Sequence, residues 1–304
     1  MLNKKFIVFF CFIVLINIIY HLYKYNFNNN IEQGHIEGFT DYFDNKQIYD
    51  DFYSKIYDKL FYSEQKNNHE LNELNIKIFS KRSNKFKKTD IHILDMGCGT
   101  GRHIKYLGKK YKITGLDRSK SMLKIAEKNN KGNKNAKFIL GDINNTKLFK
   151  DNTFSHILCL YFTFYYIENK RKFFENIYNK LKKNGILCLH LVNRKKFDPI
   201  LQSASPWPMF STQRYQRHSK STLVFNTFRY EAEFELDIDT DMGYFKEKIE
   251  FNKSKDIRNN NHTFYMPSIR KIIGIARDYK FKLRGYSDLT NLGFEYQYIF
   301  YFQK

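Results

Sequence analysis

The residues with the clearest chemical promise form one short run, Asp95-Met96-Gly97-Cys98-Gly99-Thr100-Gly101. An apolar stretch, Ile91–Met96, leads into a G-x-G-x-G pattern, and a helical pattern starts near Thr100. Glycine permits φ > 0 and lets the backbone approach a ligand with no Cβ between them. The helix that follows offers unpaired N–H donors. Two more acids stand at the ends of the next apolar runs. Asp117 lies 20 residues after Gly97, where a carboxylate accepts hydrogen bonds from both ribose hydroxyls in nucleotide-binding folds. Asp142, in Gly141-Asp142-Ile143, follows the third run, where it can bond the exocyclic amine of an adenine. Any one of these acids could be a turn residue or a helix cap. Three of them, each ending a successive strand, point to a nucleotide-like ligand.

The nicotinamide fingerprint G-x-G-x-x-G would need glycine at 102, where Arg102 sits. A carboxylate such as Asp95 directly before the loop also disfavours a phosphate. The segment Ile93–His103, I-L-D-M-G-C-G-T-G-R-H, resembles the first motif of the Rossmann-like (class I) S-adenosylmethionine-dependent methyltransferases. Gly115–Ser119, G-L-D-R-S, with Met122 in the next helix, resembles their second motif, and Gly141–Ile143 the third. Leu158–Tyr166 occupies the position after strand four. The resemblance is strong over Ile91–Val192 and extends over Ser268–Phe302.

The resemblance implies S-adenosylmethionine as cofactor and a sheet of order 3-2-1-4-5-7-6 with the seventh strand antiparallel. It implies that Asp95 and the backbone of Gly97 and Gly99 meet the methionine end, a charged amino group that tolerates Asp95. Asp117 would hold the ribose, with Arg118 and Met122 near the adenine, Asp142 and Ile143 framing it, and Leu160 and Tyr161 lining the methionine portion. Cys98, Gly101 and Gly141 complete the expected cofactor set. No metal is expected.

The implied reaction is methyl transfer to an oxygen or nitrogen on a small molecule, lipid or protein. Phe162, Phe164, Tyr165 and Tyr166 supply aromatic faces, which attract a sulfonium cation, although core packing explains at least two of them. The substrate-side expectation falls on Tyr165, Tyr166, Arg194 and Trp207. His103 and His190 read as structural, and no catalytic base is legible. The Asn/Asp-Pro-Pro-aromatic motif of nucleobase and glutamine amino-methylases is absent at Leu160-Tyr161-Phe162-Thr163, and no cysteine follows a proline. Nucleic acid is therefore not an expected partner. The alternative function is a non-catalytic cofactor-binding module; retention of Asp95, Asp117 and Asp142 together favours an enzyme.

The elements that must position these residues alternate. Apolar runs at Ile91–Met96, Tyr111–Leu116, Ala136–Leu140, Phe154–Leu160 and Gly185–Val192 are separated by helical segments near Thr100–Lys109, Ser119–Asn129 and Glu168–Lys183. The last ends in Asn184-Gly185, a helix stop signal. Such alternation predicts an α/β fold, a mainly parallel sheet with helices on both faces and its ligand beyond the carboxyl ends of the strands. After a loop at Lys196–Ser211, the period-two stretch Glu231–Asp241 (EAEFELDIDTD), a turn at Asp241–Gly243 and Tyr244–Phe251 predict an inserted antiparallel β hairpin. Its acids form either a solvated face or an attraction for a cationic substrate. A helix at Ser268–Asp278 and strands at Lys280–Ser287 and Phe294–Phe302 close the domain. Residues 47–62 read as a helix in which Tyr49, Tyr53 and Tyr57 flank an Ile48-Phe52-Ile56-Leu60 stripe. Those tyrosines serve either the core or a lid over the ligand.

The N-terminal stretch Phe6–Tyr23 is apolar and uncharged. Its length, roughly 27 Å as a helix, suits a transmembrane anchor, with no small-residue cleavage site after it. The predicted organisation is anchor 1–25, linker 26–46 and methyltransferase domain 47–304, the last divided into core 90–192, insert 193–266 and closing elements 267–304. The membrane is thus an expected partner through residues 6–23, with the domain facing the cytosol. The net charge of +21 would suit an anionic surface, but the lysines are spread along the chain, and the denser run Lys77–Lys88 reads as solvated surface. The four cysteines, Cys11, Cys98, Cys159 and Cys188, have no C-x-x-C spacing and form neither a disulfide framework nor a zinc site.

Overall fold

The computed structural model describes residues 14–16, 18, 42–80, 85–197, 220–290 and 294–304. The N-terminal part contains β1 (Tyr42–Phe43), α1 (Asp51–Phe61) and α2 (Glu64–Leu74). Next come β2 (His92–Met96), α3 (Arg102–Leu107), β3 (Lys112–Asp117), α4 (Lys120–Asn129), β4 (Ala136–Leu140), β5 (Phe154–Cys159), α5 (Lys170–Lys180) and β6 (Leu181–Val192). Four strands follow: β7 (Lys220–Val224), β8 (Phe228–Asp237), β9 (Met242–Phe251) and β10 (Ile257–Tyr265). The chain closes with α6 (Ile269–Asp278), β11 (Lys282–Asp288) and β12 (Gln297–Gln303).

Seven of these strands form one sheet of order β4-β3-β2-β5-β6-β12-β11. Counted within the sheet, this is the expected 3-2-1-4-5-7-6. β12 alone runs antiparallel to its neighbours β6 and β11. Alternate residues face opposite apolar layers, as a pleated strand requires. Ile93, Ile186 and Cys188 pack with Leu71, Leu74, Ile104 and Leu107, so α2 and α3 cover one face. Leu94, Leu187 and Leu189 pack with Phe173, Phe174, Ile177 and Ile272, so α5 and α6 cover the other. β5 is buried at every residue, as a central parallel strand must be.

The helix expected over residues 47–62 begins only at Asp51, so Tyr49 lies before it. The helix read over Glu168–Lys183 ends at Lys180, because Leu181 already pairs with Phe154 as the start of β6. Asn184, at φ 66°, and Gly185 lie inside that strand, next to a register shift, rather than at the helix end. α2 escapes a hydrophobicity reading because Lys66, Asn67 and Glu70 on its buried face are polar. The inserted hairpin, β8 with β9, grows into a five-stranded sheet of order β1-β10-β9-β8-β7.

On the outer face of this second sheet, Glu231 stands opposite Lys248 and Glu233 opposite Lys246. Ion pairs join Lys246 to Glu235 and Lys220 to Glu233, each at 2.9 Å. The acidic strand is therefore matched by a basic neighbour. Its inner face buries Tyr230, Phe234, Phe245, Ile249 and Phe264, together with Glu247, Arg258, Asn260 and His262. Arg258 ties β10 to the start of α1. It donates to the Asp50 carboxylate at 2.6 Å, to the Ile48 carbonyl at 2.9 Å and to Asn260 Oδ1 at 2.8 Å. Asp50 also caps α1 by accepting from the Tyr53 N–H at 2.9 Å, which satisfies one of the orphan donors of that helix end.

Of the expected anchor, only residues 14–16 and 18 are described, and they are helical. The rest of the anchor, residues 26–41 of the linker and Trp207 lie outside the described residues. Among the described residues no helix is long and apolar enough to cross a membrane.

Candidate active site

The loop after β2 turns on three glycines in the left-handed region, with φ of 66° at Gly97, 52° at Gly99 and 76° at Gly101. The Gly97 and Cys98 N–H groups donate to the Leu116 carbonyl at 2.7 and 3.1 Å, folding the loop onto β3. A Cβ at Gly97 would lie 2.5 Å from both Cγ2 and Oγ1 of Thr163. Only glycine satisfies both constraints at Gly97. Gly101 is needed for packing rather than for a ligand, since a Cβ there would lie 2.7 Å from Asn130 Nδ2 and 3.0 Å from Ala126 Cβ. The Cys98 side chain is likewise buried in the core beneath the loop.

Beyond the carboxyl ends of β2, β3 and β4 lies a pocket open to solvent. Gly97 and Gly99 wall one side, Asp117, Arg118 and Met122 a second, and Gly141, Asp142 and Ile143 a third. Eight of the expected cofactor residues therefore meet around one space, whereas Asp95, Leu160 and Tyr161 are not among the residues that line it. Asp117 accepts from the Gly99 N–H at 2.8 Å and the Ser119 N–H at 2.9 Å, one at each carboxylate oxygen. A carboxylate has about four acceptor positions, so capacity for two hydroxyl donors remains. Burial pushes its pKa up. Asp142 accepts from the Asn144 N–H at 2.7 Å, and Asn144 also lines the pocket.

Asp95 is 2% exposed, and its Oδ2 has no hydrogen-bond partner among the described residues. Burial pushes its pKa up to about 6; His103 pulls it down, while Asp117 and Glu70 push it further up. A buried, unpartnered carboxylate is costly unless something cationic pairs with it. An amino group with a positive charge meets that need. Tyr161 holds a left-handed backbone at φ 52°. Its hydroxyl lies 3.2 Å from Arg102 Nη1, and its carbonyl accepts from His190 Nδ1 at 2.8 Å. Leu160 is buried beside it. Lys66 from α2 stands 4.6 Å above the Tyr161 ring, and burial pulls its pKa down to about 8 against the opposing pull of Glu70.

The tyrosines of α1 and of the segment just before it divide between core and pocket wall. Tyr49 and Tyr57 line the pocket, whereas Tyr53 points away and donates to Glu247 at 2.7 Å. The helix is pinned across the loop: Asp58 accepts from Thr100 Oγ1 and Arg102 Nε, both at 2.9 Å. Ser119 Oγ donates to the Tyr49 carbonyl at 2.6 Å.

The substrate-side expectations divide. Tyr166 lines the pocket. Tyr165 does not: it is buried, and its hydroxyl accepts from the Val192 N–H at 2.8 Å, closing the end of β6. Arg194 is occupied by the Asp241 carboxylate and by the Met266 carbonyl at 2.7 Å, which anchors the β8–β9 turn. His103 pairs with Glu70 at 3.2 Å in the interior, as a structural histidine. Sequence reasoning missed Thr163, Asn144 and Ile167 in the pocket wall, and Glu247 and His262 behind it. Glu247 carried a signal: it interrupts the inward register Phe245-Glu247-Ile249-Phe251 with a charge.

A family model described as a methyltransferase domain matches residues 87–253, more than half of the chain. The chain belongs to this methyltransferase family. A malonyl-[acyl-carrier protein] O-methyltransferase of Halalkalibacterium halodurans is 28% identical over 152 residues, covering 48% of this chain and 55% of that protein. Matches to the curated relatives span between 39% and 55% of their lengths. A solved S-adenosylmethionine-dependent methyltransferase of Clostridium acetobutylicum shares the fold at TM-score 0.60 and 17% identity, over 83% of this chain and 97% of that one. The S-adenosylmethionine-bound amino pentose methyltransferase CalS10 of Micromonospora echinaspora does so at TM-score 0.55 and 14% identity, over 90% and 99%. In this methyltransferase family the cofactor is S-adenosylmethionine, and the residues fit it: Asp117 and Asp142 at two strand ends and a glycine wall line the pocket, and the strand that leads into the glycine loop carries a buried Asp95 with an unpartnered oxygen for the amino group.

Proposed function

We propose that this chain transfers the methyl group of S-adenosylmethionine to an oxygen or nitrogen atom of a small molecule, lipid or protein. The observation that carries the reading is the convergence of Asp117 and Asp142, from two successive strand ends, with the Gly97 and Gly99 wall around one pocket. Bound there, the cofactor supplies an electrophilic methyl carbon on a sulfonium. Asp117 then bonds the ribose and Asp142 faces the adenine. Asp95 receives the amino group. Tyr49, Tyr57 and Tyr166 wall the same pocket, so an acceptor enters among aromatic faces that favour a sulfonium. The chain's main task is alignment of acceptor, methyl and sulfur. The relatives' names include an O-methyltransferase and an amino pentose methyltransferase, consistent with keeping both oxygen and nitrogen acceptors.

Calorimetric titration of the full chain with S-adenosylmethionine should show one site per chain, and methyl-tritiated cofactor should label one class of a fractionated cell extract. Absence of binding would sink the reading; binding without any labelling would favour a non-catalytic module. The segment 6–23 would tether this chemistry to a membrane. The full chain should then sediment with membranes and resist alkaline carbonate, and a chain lacking residues 1–25 should not.

A further inference from the structure

Behind the pocket, Glu247 is a carboxylate with every acceptor position filled. Oε1 accepts from Tyr53 at 2.7 Å and from Tyr230 at 2.5 Å. Oε2 accepts from Asn260 Nδ2 at 2.9 Å and lies 2.8 Å from His262 Nε2. Asn260 Oδ1 is taken by Arg258 Nε, which fixes its amide so that Nδ2 faces Glu247. Burial pushes the Glu247 pKa up, but His262 and the surrounding hydroxyl donors pull it below the ordinary value. An ionised carboxylate only accepts, so His262 Nε2 carries a proton. When the ring carries only that proton, its Nδ1 is bare. Tyr166 Oη lies 2.5 Å from that nitrogen and 2.8 Å from Tyr49 Oη. In that form of the ring Tyr166 donates to His262, and Tyr49 donates to Tyr166. Tyr49 lines the pocket, and its oxygen then keeps its lone pairs for a further donor.

The contacts join two residues of the pocket wall, Tyr49 and Tyr166, to a buried imidazole. Other groups around His262 are the Phe245 and Phe264 rings and Tyr53. Arg118 lies 5.6 Å from the Tyr166 ring. Among the described residues, Glu247 is the one carboxylate bonded to this array. His262 lies beyond the segment 87–253 matched by the family model.

We propose that His262, oriented by Glu247, is the terminal proton acceptor for methyl transfer, reached through Tyr166 and Tyr49, and that the methyl acceptor is a hydroxyl or amine bearing a proton rather than a carboxylate. The inference rests on the methyltransferase reading above. The acceptor's lone pair forms the bond to the methyl carbon as the carbon–sulfur bond breaks, and the electron pair of that bond stays on the sulfur. The acceptor's proton passes to the Tyr49 oxygen, Tyr49's proton to Tyr166 and Tyr166's to His262 Nδ1. The product state is an imidazolium paired with Glu247. A carboxylate acceptor has no proton to lose and would make the array superfluous. Glu247 is a positioning residue in this scheme.

Three measurements test it. Label transferred from tritiated S-adenosylmethionine into an extract separated into amines, alcohols and carboxylic acids should be stable to alkali; alkali-labile methyl esters would overturn the proposal. With the fraction that takes label, Tyr166→Phe should turn over about a hundredfold more slowly at pH 7, and the deficit should shrink towards pH 9 as hydroxide takes the proton. An equal loss at every pH would assign Tyr166 a packing role and overturn the relay. Finally, ¹⁵N spectra of histidine-labelled full chain at pH 7 should show His262 protonated on Nε2 alone; a proton on Nδ1, in a neutral ring or in an imidazolium, would overturn the scheme without any turnover measurement. Failure of the methyltransferase reading shows separately, as absent cofactor binding in the calorimeter.

Discussion

Asp117→Ala should weaken S-adenosylmethionine binding by at least about a hundredfold. Two hydrogen bonds from ribose hydroxyls to a charged acceptor contribute about 1.5–3 kcal/mol each, and about 1.4 kcal/mol is tenfold in affinity. The loop suffers as well, because the Gly99 N–H loses the acceptor that it holds at 2.8 Å. Both effects act on the cofactor-binding state. The cofactor-free protein loses two backbone bonds but is relieved of a buried carboxylate whose pKa burial has pushed up, so its melting temperature should move little. Asp117→Asn keeps one oxygen acceptor and should fall between alanine and wild type. Titration calorimetry with thermal melts of the same samples checks the prediction. Wild-type affinity in the alanine variant would remove Asp117 from the cofactor site.

Asp95→Asn should separate binding from stability in the opposite sense. Burial raises the folded-state pKa of Asp95 from 3.8 to about 6. For an acid shifted upward, the unfolded chain ionises first. Stability conferred by the neutral carboxyl is full below the ordinary value and is lost as pH rises through the folded one. Between pH 4 and 6 the wild type should therefore lose up to about 3 kcal/mol relative to the asparagine variant, taking about 1.4 kcal/mol per unit. Cofactor binding follows the other sign. An ammonium group pairs with the ionised form, so wild-type affinity should fall about tenfold per pH unit below about 6 and level off above it. Asp95→Asn should bind weakly at every pH and lose that dependence. Melting curves and titrations across pH 4.5–8 read both trends; an Asp95→Asn profile parallel to wild type in either would contradict the assignment.

The two sites differ in how they were legible. Asp95, Asp117 and Asp142 are placed by strand ends, and a strand end is visible as the close of an apolar run. Gly97 and Gly99 are placed by a loop geometry that only glycine adopts without strain. Both signals lie within a few residues of the feature they mark. Arg194 and Tyr165 show the converse. Each has a functional-looking position just past a strand or within an aromatic run, yet the fold spends Arg194 on Asp241 and Met266 and the Tyr165 hydroxyl on Val192. Nothing near either residue in the chain announces those partners.

The tyrosine stripe over residues 49–57 illustrates the division within a single short stretch of chain. Its spacing determined a helix and a shared face. Which tyrosine is core and which is wall depended on β9 and β10, whose Glu247 draws Tyr53 inward and leaves Tyr49 and Tyr57 at the pocket. By itself, the sequence determined the alternating strands and helices, the glycine loop and the three strand-end acids, because backbone conformation and period-two or period-3.6 burial are local properties. Only the tertiary structure decided the second sheet's full extent, the buried polar face of α2 and the line from Tyr49 through Tyr166 and His262 to Glu247. A buried polar side chain is stable only where partners from elsewhere satisfy it, and those partners lie 117, 96 and 15 residues apart along the chain.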